Sequence, residues 1–295
     1  MVLEMKDINK SFGAKEVLKG VSFRAEGGSA FGLLGRNGAG KTTSIRILMD
    51  VFPADSGQVL LDGKPVDYSK IGLGYLPEER GLYPKKPIGE QLVYLDRLKG
   101  MGKKAAEQAV DFWLKRLGME EHKNKRLDTL SKGNQQKIQL ITALAHDPEI
   151  IVLDEPFSGL DPVNAQLLKD VVKEQIGKGK IVLFSSHQMN YIEEFCDSIA
   201  ILHQGEVVLS GNLRDIKRSF PRDRLVVRTQ SPEKIQAAFP CTQGEKGELI
   251  LLLKAPEEKQ AVMQRLTRDF DIDGVEVFEP SLNDIFVAYT KEGQA

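Results

Sequence analysis

The stretch GLLGRNGAGKTTSIRIL, residues 32–48, decides the fold. A short apolar run, residues 30–34, reads as a buried strand that breaks at Gly35, and an amphipathic helix starts near Gly40. Between them, Gly35 to Thr42 fits the phosphate-loop pattern at every required position. The residue types follow from the task. Glycines let the backbone curl so that successive N–H groups converge on phosphate oxygens. The helix that follows presents its N-terminus, worth about half a positive charge, to the same anion. Lys41 then reaches the β- and γ-phosphates, and the Thr42 hydroxyl takes a place on Mg²⁺. The stretch predicts a nucleoside triphosphate site.

The rest of the composition bounds what surrounds that site. At 295 residues the chain suits one large domain plus a small one. A net charge of −1 gives no global field toward nucleic acid or anionic lipid, so no nucleic-acid partner is expected. Cys196 and Cys241 form neither a disulfide framework nor a metal spacing, and read as buried or incidental thiols in a reducing compartment. The first residues, MVLEMKDINKSFG, lack a signal-peptide run. No apolar run approaches the roughly 20 residues that span a bilayer, so work at a membrane is expected to go through a partner.

Along the chain, residues 1–30 alternate apolar and polar and predict antiparallel strands ahead of the loop. Phe12, at the turn between the first two, reads equally as a core aromatic or as a platform for a nucleobase. Residues 57–64 and 71–77 read as further strands, the first ending in an Asp62-Gly63 turn and the second stopped by Pro77. From Pro87 to His146 the apolar spacing turns helical, which predicts a helical subdomain at about 79–147 with lysines such as Lys85, Lys86, Lys103 and Lys104 on its solvated face. Buried strands return at 150–153 and 181–184, with a helix between them opened by Asp161-Pro162. A hairpin follows around Gln204-Gly205. The large domain is assigned to 1–220, and 222–295 to a small α+β accessory domain without a catalytic constellation, read as an interaction or dimerisation module.

Two further stretches carry chemistry. The apolar strand Ile150-Ile-Val-Leu153 ends in Asp154-Glu155, placing two carboxylates at the carboxyl edge of a parallel sheet, where ligands bind. Asp154 is positioned to hold Mg²⁺, and Glu155 to polarise an attacking water as general base. Leu130-Ser-Lys-Gly-Asn-Gln-Gln136 opens a helix that Ser131 caps, and Gly133 removes a side chain where backbone must approach an anion.

The order of these motifs resembles the ATP-binding subunit of an ABC transporter over roughly residues 1–220. Ser131-Lys-Gly-Asn-Gln-Gln is followed 23 residues on by Asp154-Glu155, then by Ser158-Gly-Leu-Asp161, then by His187. The resemblance implies an α/β P-loop NTPase of the ABC-ATPase type: a mixed sheet core, an antiparallel β subdomain and a helical subdomain. It implies these roles. Phe12 stacks on adenine. Gly35, Arg36, Asn37, Gly38, Ala39, Gly40, Lys41, Thr42 and Thr43 cradle the phosphates. Thr42, Glu78 and Asp154 hold Mg²⁺. Glu155 is the catalytic base, and His187 contacts the γ-phosphate, acting with Lys41 in catalysis. Ser131, Gly133 and Asn134 complete the ATP site of an opposite protomer, and Asp161 lies on the loop that crosses the dimer interface.

Two departures stand out. Lys132 and Asn134 replace the glycine and glutamine of the usual signature, and Glu78 replaces the usual glutamine at the end of its strand. The tail, residues 279–289, and the GYLPEERGLYP stretch, residues 74–84, resemble ATPases of bacterial sodium, drug and peptide exporters that carry a similar C-terminal domain. The implied function is ATP hydrolysis that energises export through a separate multi-spanning permease at the cytoplasmic face of the membrane, with ATP and Mg²⁺ as cofactors and a homo- or heterodimer of ATPase subunits. The competing reading is a non-transport ABC ATPase acting on a ribosome or nucleic-acid complex. A single phosphate loop, and only 90 residues between Lys41 and Ser131, leave no room for tandem cassettes or a long inserted coiled coil.

Overall fold

The structure, a computed structural model, describes residues 1–79, 81–221, 223–244 and 247–290. It divides into two compact units, Met1–Leu213 and Arg214–Ala295.

In the first unit, β1 (Val2–Phe12) and β2 (Lys15–Glu26) form a long antiparallel ribbon. With β4 (Ser56–Leu61) and β5 (Lys64–Pro65) they make a four-stranded antiparallel sheet in the order β2-β1-β4-β5. Alternation in the sequence becomes two faces here: Leu3, Met5, Ile8, Leu18, Val21 and Phe23 turn inward. Phe23 stacks on Phe31 with ring centroids 5.0 Å apart.

Phe31 belongs to β3 (Ala30–Gly35), the third strand from one edge of a six-stranded sheet. The others are β6 (Leu73–Leu76), β7 (Ile150–Asp154), β8 (Ile181–Ser185), β9 (Ser198–His203) and β10 (Glu206–Asn212), in the order β10-β9-β3-β8-β7-β6. Every pairing is parallel except that of β10 with β9. β3, β7 and β8 are buried at every position, which is why they read as unbroken apolar runs. Parallel pairing sends the carboxyl ends of β3, β6, β7 and β8 to one edge, where ligands of open α/β sheets sit.

Helices α1 (Lys41–Leu48), α2 (Ile88–Leu98), α3 (Lys103–Arg116), α4 (Lys132–Leu144), α5 (Pro162–Gly177) and α6 (Met189–Phe195) complete this unit. α2, α3 and α4 pack on one another, and α4 also lies against β6. That approach is close: a Cβ at Gly74 would fall on the carbonyl oxygen of Ala143. Lys85, Lys86, Lys103 and Lys104 are all exposed. α7 (Leu213–Ser219) follows at the boundary of the two units.

One buried acid in the helical subdomain has no role at the sheet edge. Asp96, in the last turn of α2, is 1% exposed, and its Oδ2 has no hydrogen-bond partner. Burial pushes its carboxyl up to about 7, against the pull of the Lys99 ammonium. Lys99 donates to the Leu73 carbonyl at 2.6 Å, and His146 Nε2 lies 3.0 Å from the same oxygen. Burial, then Lys99, lowers His146 to about 4. A carboxyl raised in the folded state binds a proton that the unfolded chain has released. Its contribution to stability therefore falls as pH rises from about 4 to about 7 and is flat above. Asp96→Asn removes that loss. It is expected to be more stable than the parent by ~2 kcal/mol at about pH 8, and nearly equal to it at about pH 4. Urea unfolding at both values checks this, because the His146 contribution is common to both proteins and cancels. Equal midpoints at the higher pH would show that burial does not raise the Asp96 carboxyl.

The second unit contains β11 (Arg224–Arg228), α8 (Pro232–Ala238), β12 (Cys241–Gln243), β13 (Leu249–Leu252), α9 (Lys259–Asp269), β14 (Gly274–Val277) and α10 (Leu282–Thr290). Its sheet is antiparallel, in the order β12-β13-β11-β14. Leu225, Val227, Leu249 and Leu251 from one face of it pack with Ile235 of α8 and Leu266 of α9 as a separate core. Among the described residues, no helix is long and apolar enough to cross a membrane.

Candidate active site

The site begins where β3 runs out. Gly35 to Gly40 turn the chain from the sheet into α1, and two positions demand glycine. Gly38 and Gly40 adopt φ of 82° and 112°, a region that L side chains rarely enter. At Gly40 a Cβ would also meet Leu18 at 2.5 Å, so the loop is seated hard against β2. The Ala39 N–H donates to Arg36 O at 3.1 Å and the Gly205 N–H to Ala39 O at 3.1 Å, closing the curl and tying it to the β9–β10 turn. Arg36, Asn37, Gly38 and Thr42 are exposed, while Ala39 and Gly40 are buried beneath them. Lys41 leads α1, and its ammonium folds back to donate to Gly35 O at 2.6 Å. Burial lowers its affinity for the proton, and the carboxylates of Glu155, Asp154 and Glu78 raise it.

Those three acids come from neighbouring strands. Leu76 of β6 pairs with Leu153 of β7, and Asp154 with Ser185 of β8. Glu78, two residues past β6, therefore joins Asp154 and Glu155 at one edge. Asp154 is buried, and burial raises its carboxyl above the usual range, as do the negative charges of Glu78 and Glu155. Tyr75 is pushed up to about 12 by burial and then by Asp154. One ammonium faces three carboxylates, which leaves room for a divalent cation. The donor set fits Mg²⁺: Thr42, Glu78 and Asp154 offer only hard oxygens. Among the described residues, no cluster of three or more acids, histidines or cysteines would hold a metal alone.

Glu155 is set apart from Asp154 by its backbone. Its φ is 48°, in the left-handed region, so its side chain leaves the strand direction and turns toward the segment after β8. Its carboxylate is 6% exposed. Oε1 accepts from the His187 backbone N–H at 2.8 Å and lies 2.6 Å from His187 Nδ1. Oε2 accepts from the Ser186 hydroxyl at 2.9 Å. A carboxylate only accepts, so this contact places a proton on Nδ1. The His187 side chain is 64% exposed, so the rest of the ring faces outward.

Ser131 caps α4, accepting from the Asn134 N–H at 3.4 Å. Gly133 lies against the start of α5, where a Cβ would sit 3.0 Å from Asn164 and 3.7 Å from Asp161. Asp161 caps α5 through bonds of 3.0 Å from the Val163 and Asn164 N–H groups, which hold its carboxyl below the usual range, the Asn164 bond most of all. Ser131, Gly133, Asn134 and Asp161 thus form a second group, brought together at two helix starts. Phe12 ends β1 at 50% exposure, with its ring edge-on to Phe52 at 5.6 Å. Ser186 did not stand out in the sequence, because a serine just after an apolar strand reads as a turn residue. Its place directly before His187 was the one available signal.

The family model described as ABC transporter matches residues 18–158. A second, described as the C-terminal domain of DrrA1-3-like ATP-binding proteins, matches residues 211–290. The chain is 42% identical to an uncharacterized ABC transporter ATP-binding protein, YhaQ, of Bacillus subtilis, over 97% of each chain. It is 33% identical to the linearmycin resistance ATP-binding protein LnrL of the same species, over 78% of this chain and 75% of the relative. A solved ATP-binding subunit of an ABC transporter superposes with a TM-score of 0.69 at 31% identity, covering 75% of this chain and 93% of the other.

Proposed function

We propose, from the premise that this chain belongs to the ABC transporter ATP-binding proteins, that its ATP hydrolysis drives export of an ion, drug or peptide through a separate membrane permease. Members of the family hydrolyse ATP, and the chain is an ATPase subunit. One observation carries the export reading. The relative LnrL, alike over 78% of this chain, is named for resistance to linearmycin, and a transporter protects against a compound by moving it out.

In this reading Phe12 stacks on adenine, and the backbone from Gly35 to Thr43 wraps the phosphates, Arg36, Asn37 and Ala39 included. Lys41 exchanges its bond to Gly35 O for phosphate oxygens, which its positive charge stabilises as charge moves in the transition state. Thr42, Glu78 and Asp154 would hold Mg²⁺, which when bound neutralises phosphate charge. Glu155 takes the proton of the attacking water. With Nδ1–H on Glu155 Oε1, the His187 ring donates to the γ-phosphate through Nε2 only as the imidazolium, or after letting Glu155 go. On the second course, binding of ATP and release of the base are linked at one ring.

Ser131, Gly133 and Asn134, with Asp161 beside them, face the ATP held by a second ATPase subunit. ATP closes the pair because only the closed state lets it contact both. The membrane subunit supplies the transport path, and the ATPase works at its cytoplasmic face.

The test is recovery of partners from detergent-solubilised membranes with tagged Glu155→Gln protein and ATP. A polytopic permease in the eluate supports the reading. Ribosomes or nucleic-acid complexes without a membrane protein would replace it with a non-transport ATPase.

A further inference from the structure

We propose that Ser186 is a positioning residue for hydrolysis: its hydroxyl aims the Glu155 carboxylate once the His187 ring has turned away. This rests on the reading of Glu155 as general base and of His187 as the ring that lets it go for the γ-phosphate.

The two carboxylate oxygens are held by different groups. Oε1 has the His187 backbone N–H at 2.8 Å and the ring Nδ1 at 2.6 Å, whereas Oε2 has the Ser186 hydroxyl at 2.9 Å. These holders differ in freedom. The His187 ring is mostly exposed. Ser186 is 2% exposed, and its oxygen is fixed in turn by the Gln188 N–H at 3.0 Å. The Glu155 backbone is pinned as well: its N–H donates to Ser185 O at 2.8 Å, and its carbonyl accepts from the Ser158 N–H at 3.1 Å.

When the ring leaves for a phosphate, the carboxylate keeps one donor on each oxygen, a backbone N–H on Oε1 and the serine hydroxyl on Oε2. Two donors on two oxygens fix the plane of the group. One donor on one oxygen does not, because the last torsion of a glutamate is broad and has no sharp minimum. A base that must meet a water within hydrogen-bond reach loses rate when its lone pairs swing. Ser186 is thus the part of the cradle that stays while His187 moves.

The experiment measures steady-state and single-turnover ATP hydrolysis by the full chain carrying Ser186→Ala, Glu155→Gln or both. Ser186→Ala is expected to lower kcat by about tenfold or more with KM for ATP changed by less than about twofold. In the Glu155→Gln background the same change is expected to cost nothing further, since there is no base left to aim. Unchanged kcat in Ser186→Ala overturns the proposal. So does an equal loss in both backgrounds, or a parallel loss of ATP binding, either of which would make the hydroxyl only a support for the turn into α6. The underlying assignment fails separately: if Glu155→Gln alone keeps full turnover, Glu155 is not the base and Ser186 has nothing to position.

Discussion

Glu155→Gln is expected to bind ATP as the parent does and to lose on the order of 10²-fold or more in turnover. The amide has the size of the carboxylate, and one of its two polar ends still accepts. Its oxygen suits the Oε1 position, where the His187 N–H donates. Its NH₂ then faces Ser186, whose hydroxyl can rotate from donor to acceptor. The fold and the phosphate loop are untouched, so affinity is retained. What is lost is a group that can take a proton from water. On the proposed function, ATP that binds and does not turn over would hold a closed pair of subunits, and size-exclusion chromatography with ATP is expected to show more dimer for the variant than for the parent. Full turnover by the variant would remove Glu155 from the role of base.

The second large effect concerns packing. Gly74→Ala is expected to destabilise the first unit by about 3 kcal/mol. Gly74 is buried in β6, where α4 crosses it so closely that a methyl group would overlap the Ala143 carbonyl and lie 2.8 Å from Pro148 Cγ. A carbonyl oxygen is backbone and cannot rotate away, so α4 has to retreat as a body. The displacement reaches the site by two routes, since β6 leads to Glu78 and α4 begins at its Ser131 cap. Urea unfolding of the full chain reads the loss. An unchanged midpoint would mean that α4 retreats at no cost.

Much of this was legible in the sequence. The phosphate loop, the apolar strands at 30–34, 150–153 and 181–184, the Asp161-Pro162 helix start and the helical stretch beyond Pro87 each carry a local signal, of periodicity, capping or glycine placement. The ABC-ATPase fold followed from their order. Other features carry no local signal. β12 is three residues, Cys-Thr-Gln, too short for alternation, and exists because β13 offers it an edge. Asp96 sits on the buried stripe of α2 although polarity assigns it to the solvated face; only tertiary packing decides that. The turn of Glu155 away from Asp154 is a backbone angle, which two adjacent acids do not announce. The Ser186 hydroxyl reaches Glu155 Oε2 only because of that turn, so its place before His187 was the single hint the sequence offered.

The strand order of the central sheet has a consequence for the chain as it is being made. β3, which launches the phosphate loop, has β8 on one side and β9 on the other. Neither flank exists until residues 181–203 have left the ribosome, on the order of ten seconds after β3 at ordinary rates of synthesis. The β1–β2 ribbon and β4 close on their own neighbours early, but β3 waits with both edges open. A nascent chain stopped before β8 therefore carries a complete phosphate-loop sequence with no sheet to present it, and an unpaired apolar strand prone to join another chain. Nucleotide affinity should thus arrive late and abruptly during synthesis, with the pairing of β8 and β9.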